Sequence, residues 1–179
     1  MKLIIIIIAV SIVVLIVALV AIVALIGSSL PKEHVASRSM LLHKTPAEVY
    51  AVVHDFASAP KWRPDVKQVE VTVQSDGRIH FRENGKNGVV NFELAEDVPA
   101  QRMVTRILDT DLGYSGKWTY VFAPEGAEGK ATRLTVTENG EVSNVIFRFL
   151  SKYAFGHTAT LDSYLGSLGK HFGETAKPE

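Results

Sequence analysis

Between Lys67 and Glu138 the chain alternates apolar and polar residues with a period of two, six times over. Nothing else in the sequence narrows the possible folds so far. Lys67–Gln74 sets Val69, Val71 and Val73 against Gln68, Glu70 and Thr72, and Arg78–Glu83 sets Ile79 and Phe81 against Arg78, His80 and Arg82. Val89–Glu96 presents Val90, Phe92 and Leu94, Gln101–Asp109 presents Met103, Thr105 and Ile107, and Gly116–Phe122 presents Trp118, Tyr120 and Phe122. Ala131–Glu138 closes the series with Leu134 and Val136. Turn residues separate the runs: Ser75-Asp76-Gly77, the stretch 84–88, Asp97-Val98-Pro99-Ala100 and Ala123-Pro124-Glu125-Gly126. Alternation on one side with tight turns predicts an antiparallel sheet with one solvated face. The other face needs a cover.

That cover is predicted directly after the last strand. Asn144–Phe172 contains no proline, and its bulky residues recur at steps of three and four. Ile146, Phe149, Tyr153, His157, Thr160 or Leu161, Tyr164 or Leu165, Leu168 and Phe172 fall on one face of a long helix. Arg148, Lys152, Asp162 and Lys170 fall largely off it. Tyr153, His157, Thr160 and Tyr164 give the inward stripe hydrogen-bonding groups, a mixture suited to a cavity wall, because ligand sites are mostly apolar with a few placed polar groups.

The N-terminus is of another kind. Leu3–Ile26 is apolar throughout except for Ser11. As a helix it spans about 36 Å, enough to cross a bilayer core of about 30 Å. A retained membrane anchor over residues 1–27 is expected, since the run is longer than a signal-peptide core and lacks a small-x-small cleavage site. Basic residues on both sides leave its orientation open. A linker at 28–33 follows, with Pro31 ending the helix. His34–Lys44 reads as a first strand, and Thr45-Pro46-Ala47-Glu48 starts a helix with a capping box and proline at its first position. A second short helix or turn holds Ala59–Pro64. The soluble domain is expected over 34–173, with a flexible tail at 174–179.

With 19 basic and 19 acidic residues the net charge is zero, and without Lys2, Lys32 and Glu33 the remainder has 17 and 18. That balance argues against nucleic-acid binding, which needs a basic surface. Absence of cysteine removes disulfides, thiol nucleophiles and thiolate metal sites. The six histidines show no HxxxH or HExxH spacing, so no metal is expected. No cofactor-binding motif occurs.

The order of elements and several short motifs resemble the START-like, or Bet v 1-like, superfamily (SRPBCC), and within it polyketide cyclase/dehydrase-type domains. The residues that carry the likeness are Lys44–Tyr50, then Phe56 with Pro60, Trp62 and Pro64. They continue with Glu96-Asp97-Val98-Pro99 and Arg102, Trp118–Phe122 and Thr135–Glu138. The resemblance covers about Val35–Gly173. It implies an α+β helix-grip fold: a curved seven-stranded antiparallel sheet wrapped around a long C-terminal helix, with two short helices after the first strand. It also implies a cavity for a lipid or other hydrophobic small molecule, but no particular reaction.

On parity and helix phase, the candidate ligand-binding residues are Phe81, Phe92, Met103, Trp118, Tyr120, Tyr153, His157, Thr160 and Tyr164. His157 is the one histidine expected in the pocket. Glu138 shares the inward parity of Leu134 and Val136, yet beside Asn139-Gly140 it is expected in a solvated turn; Asp109 and Asp111 read as loop residues. Three functions follow. The first is membrane-anchored binding of a hydrophobic molecule. The second is a cyclase or dehydratase using acid–base groups among His157, Tyr153 and Glu138. The third is an interaction module whose vestigial cavity is filled by Trp118, Phe92 and Tyr164. No catalytic residue is assigned.

Overall fold

All the alternating runs become strands of one antiparallel sheet. In the computed structural model, which describes residues 2–86, 88–175 and 177–179, the strands are β1 (Glu33–Leu42), β2 (Val66–Val73), β3 (Ile79–Gly85) and β4 (Gly88–Val98). They continue with β5 (Arg102–Ile107), β6 (Tyr114–Glu125) and β7 (Ala131–Val142). The seven-stranded order is β1-β7-β6-β5-β4-β3-β2, so neighbours in sequence are neighbours in space except that β1 closes onto β7. Asn87, within the turn expected at 84–88, lies outside the described residues. One extra residue, Ala95, interrupts the β4–β5 ladder: Leu94 pairs with Thr105, but Glu96 already pairs with Val104. Such a bulge sharpens the local bend of a strand.

Two helices cover the start of the domain. Helix α2 (Pro46–His54) begins as its sequence demands: the Thr45 hydroxyl accepts from the Glu48 amide while the Glu48 carboxylate accepts from the Thr45 amide. A 3-10 turn, Phe56–Lys61, then leads to Trp62. At the other end α4 (Ala159–Phe172) lies on the inner face of the sheet. Its Leu161, Leu165 and Leu168 are fully buried with Met40, Leu42, Met103, Leu134 and Val136. The inner face of β2 is less covered than its alternation suggests, since Val71 and Val73 remain exposed at that sheet edge.

The stretch 144–172 is two helices where one was expected. Asn144 caps α3 (Val145–Leu150) by accepting from the Ile146 and Phe147 amides. A π-helical turn, Ser151–Phe155, follows and ends at Gly156, with φ 74° and ψ 155°. That backbone region is essentially closed to residues with a Cβ. The apolar stripe runs through this break, so its spacing alone did not reveal it. The consequence is a correction. Tyr153, expected to point inward, is 59% exposed.

The N-terminal helix α1 (Lys2–Ser29) is long and apolar enough to cross a membrane, and it meets no other element along most of its length. Its C-terminal end is not free. A Cβ on Gly27 would come 2.0 Å from the Val145 carbonyl oxygen, so only glycine permits this approach of α1 to α3. Arg148, placed off the inward stripe by its phase, is buried and donates to the carbonyls of Leu30 and Ser143. The expected linker is thus partly helix and partly clamped. The tail is tied as well: Glu174 accepts from the His43 amide, and Glu179 exchanges backbone hydrogen bonds with Ser39 of the edge strand β1.

Candidate functional site

The sheet is wider than α4, and the uncovered part of its inner face encloses a cavity of about 540 Å³. This lies within the roughly 300–1,000 Å³ typical of small-molecule sites. Strands β3 to β7 form the back wall, and α3, the π turn and the start of α4 form the front. Aromatic rings dominate one side. Phe56 stacks on Phe81 at 4.0 Å between centroids, and Phe81 stacks on Phe92 at 5.0 Å. Val90, Ile107, Trp118, Phe147 and Leu150 extend the apolar surface.

Two polar clusters interrupt it. The first is built on the Gly116–Gly140 cross-strand pair of β6 and β7. A Cβ on Gly140 would fall 2.4 Å from the His34 ring, so the missing side chain makes room for that imidazole. His34 stacks on His157 at 4.3 Å, and its Nε2 lies 3.6 Å from Glu138 Oε1. Trp118 lies directly across the ladder from Glu138. Burial pushes the Glu138 carboxyl above the usual carboxylate range, against the opposing pull of His157 and the neighbouring Trp118 indole. Burial lowers both imidazoles, and for His157 the neighbouring His34 acts in the same direction. The cluster therefore favours neutral rings beside a carboxyl that takes up a proton more readily than a surface glutamate.

The second cluster sits at the other end of the cavity. Arg63 donates to Glu83 at 2.6 Å and to Asp65 at 2.9 Å, and its guanidinium lies 5.5 Å from the Tyr164 ring centroid. The Arg63 Nε is buried and has no partner among the described residues. Burial raises the Glu83 carboxyl, outweighing the attraction of Arg63. For Arg63 burial acts the other way, but the two carboxylates hold its proton more tightly still. Tyr120, whose ring lies 5.8 Å from that of Tyr164 between centroids, is pushed up to about 12 by burial.

Of the nine candidate residues, Phe81, Phe92, Trp118, Tyr120, His157 and Thr160 line the cavity. Three do not. Tyr153 points away, because the helix breaks after it. Met103 is fully buried and belongs to the part of the inner face that α4 covers. Tyr164 is buried behind the wall, edge-on to Trp62 at 5.2 Å and to Trp118 at 5.4 Å. Parity assigns a face but not a position along it. Glu138, expected in a solvated turn, is instead within β7, which continues to Val142. His34, Arg63, Glu83 and Thr105 line the cavity as well, outside those nine. Parity marks Glu83 with Ile79 and Phe81, and Thr105 with Met103, but nothing local to Arg63 points inward. Among the described residues, no group of three or more His, Asp and Glu side chains is arranged to hold a metal ion.

Residues 33–168 match the family described as polyketide cyclase/dehydrase and lipid transport. The chain belongs to that family. No curated protein matches it. Among solved structures it is similar to a START superfamily protein from Mycobacterium smegmatis, with TM-score 0.64 and 18% identity over 78% of this chain and 97% of that one. An aromatase/cyclase, ZhuI, from a Streptomyces species superposes with TM-score 0.60 and 11% identity, over 79% and 94% of the two chains. Norcoclaurine synthase from Thalictrum flavum gives TM-score 0.60 and 11% identity, over 78% and 94%. At such identities the likeness establishes the helix-grip fold alone.

Proposed function

We propose that the protein binds a lipid or another hydrophobic small molecule in the cavity between sheet and C-terminal helices, and that α1 holds this cavity at a membrane. The observation that carries the reading is the cavity itself: about 540 Å³, walled on one side by the Phe56–Phe81–Phe92 stack, with buried polar clusters around Glu138 and Arg63 on the rest of its wall. An apolar ligand body fits against the rings, and a polar end fits Glu138 and His157 or the Arg63 cluster. The open volume weighs against a vestigial, filled interior, because Trp118 and Phe92 line the space and do not occupy it. Tethering supports the reading too, since an anchored pocket meets membrane-dissolved ligand at high local concentration.

A series of fatty alcohols of increasing length, titrated into the full chain in nanodiscs, tests it. Each methylene taken from water contributes about 0.8 kcal/mol, so affinity expressed against the free aqueous alcohol rises roughly fourfold per carbon until the cavity is full, then levels off. Affinity that ignores chain length, or no saturable binding, contradicts the reading.

A second reading, acid–base chemistry of the cyclase or dehydratase kind, draws support from one observation. His34, Glu138 and His157 converge on one wall, with a carboxyl and imidazoles shifted toward their neutral forms. Groups so poised can exchange protons with a bound substrate near neutral pH. Loss of turnover but not of binding in a Glu138→Gln variant distinguishes this reading from the first.

A further inference from the structure

The segment joining β7 to α4 has two faces, and both are apolar. Phe147, Leu150 and Ser151 line the cavity, while on the other side Ile146 is 39% and Tyr153 is 59% exposed, and Phe147 itself is 49% exposed. A short helix and π turn with large uncovered side chains is unusual on a surface facing only water. The position of the segment says what covers it. The apolar run of α1 ends at Ile26, and the next residue, Gly27, is in backbone contact with Val145, the first residue of α3. The buried Arg148 then fixes α3 to the chain leaving α1, through the Leu30 carbonyl. Helix α3 has six residues, about 9 Å of helix. If α1 crosses a bilayer, this segment cannot lie far from the level where the hydrocarbon ends. Lys152, whose Nζ lies 5.5 Å from the Tyr153 ring centroid, completes the pattern of an amphipathic side chain with a cation beside it, as membrane interfaces favour.

We infer that α3 and the π turn rest in the bilayer interface and form the door through which the ligand passes laterally from the membrane into the cavity. The inference rests on the binding reading above and names the source and route of its ligand. The break at Gly156 suits such a door. It separates the segment from α4, whose leucines are locked in the core, so the door can move without unpacking the domain.

Because the chain has no cysteine, single-cysteine variants of the full-length protein can be labelled at one place. Nitroxides at Ile146→Cys and Tyr153→Cys, in phosphatidylcholine liposomes, are compared with one at Val73→Cys on the far edge strand β2, an exposed position of the sheet. The inference predicts that collisions with oxygen exceed those with a water-soluble nickel chelate at 146 and 153, and the reverse at 73. Nickel-dominated collisions at all three overturn it. In a second arm, uptake of a fluorescent fatty acid preloaded into the vesicles is timed. Combining Ile146→Asp with Tyr153→Asp slows uptake roughly tenfold or more and leaves the final occupancy unchanged, since neither residue lines the cavity. An unchanged rate overturns the door even if the probes lie in the interface. If the unsubstituted protein takes up no fatty acid by either delivery from vesicles or from detergent, the binding reading fails, while the collision data still decide where the segment rests.

Discussion

Replacing Arg63 by methionine isolates the electrostatics of the cavity. The substitution keeps an unbranched apolar stem beneath Tyr164 but leaves Glu83 without its cation. Side-chain exposures of 17% for Arg63 and 15% for Glu83 place the pair between surface and interior. Breaking a buried pair by removing one partner costs about 3–5 kcal/mol, and the residual exposure argues for the lower end, about 3 kcal/mol. For a domain of this size that corresponds to a fall in Tm of about 6–12 °C. The loss must depend on pH. Burial already raises the Glu83 carboxyl, and without Arg63 it rises further. A raised carboxyl stabilises the fold where it is protonated, below its unfolded pKa, and that contribution is lost as pH climbs through the folded pKa. Arg63→Met therefore destabilises most at pH 8 and least near pH 5. Asp65, 38% exposed, is solvated when Arg63 leaves and adds little. Adding Glu83→Leu restores most of the loss, because a pair replaced by apolar groups leaves no stranded charge. Thermal unfolding of the full chain in detergent micelles, followed by near-ultraviolet circular dichroism, measures the parent, the single variant and the double variant. A single variant as stable as the parent at pH 8, or an equal loss at both pH values, refutes the reasoning.

Glu138→Gln keeps the side-chain shape and removes a carboxyl whose pKa burial has raised, so it should raise Tm at pH 8, with the gain disappearing toward pH 4. In the same scan His34 and His157, lowered mainly by burial, contribute the opposite slope: their stability is present above the unfolded histidine pKa and lost as pH falls through the lower folded values. Gly156→Ala meets no steric contact but forces a Cβ into a backbone region reserved for glycine, at a cost of about 1–3 kcal/mol in chemical denaturation. Leu165→Ala, at the fully buried centre of the α4 stripe, should cost about 2–5 kcal/mol by the same measurement.

Most of the fold could be read from the residues because each local choice agrees with the global one. Period-two alternation set the strands and their inner face, and the Thr45–Glu48 box set the start of α2. The C-terminal helix was legible from Leu161 to Leu168, where the stripe is aliphatic and simply packs. It was misread before Gly156, where the same spacing continues across a chain that has turned. The candidate site was legible in the same measure. Trp118, Tyr120, Phe81 and Phe92 follow from parity, and His157 and Thr160 from helix phase. Met103 and Tyr164 were misplaced because a strand's inner face is shared between helix cover and cavity, and that division depends on where α4 sits. His34 and Arg63 escaped for another reason. One is brought to the site by closure of β1 onto β7 across more than a hundred residues, the other by a turn without periodicity.

Trp118 offers the most direct test of a hydrophobic ligand in this cavity. It is one of two tryptophans, and the other, Trp62, packs behind Tyr164 and away from the cavity. In a Trp62→Phe variant in nanodiscs of unbrominated lipid, a bromine-substituted fatty acid that enters the cavity must touch Trp118 and quench it. The account predicts saturable quenching of that single tryptophan, reversed by an excess of the unbrominated acid. Fluorescence that stays constant through the titration, in a variant that still unfolds cooperatively, contradicts it.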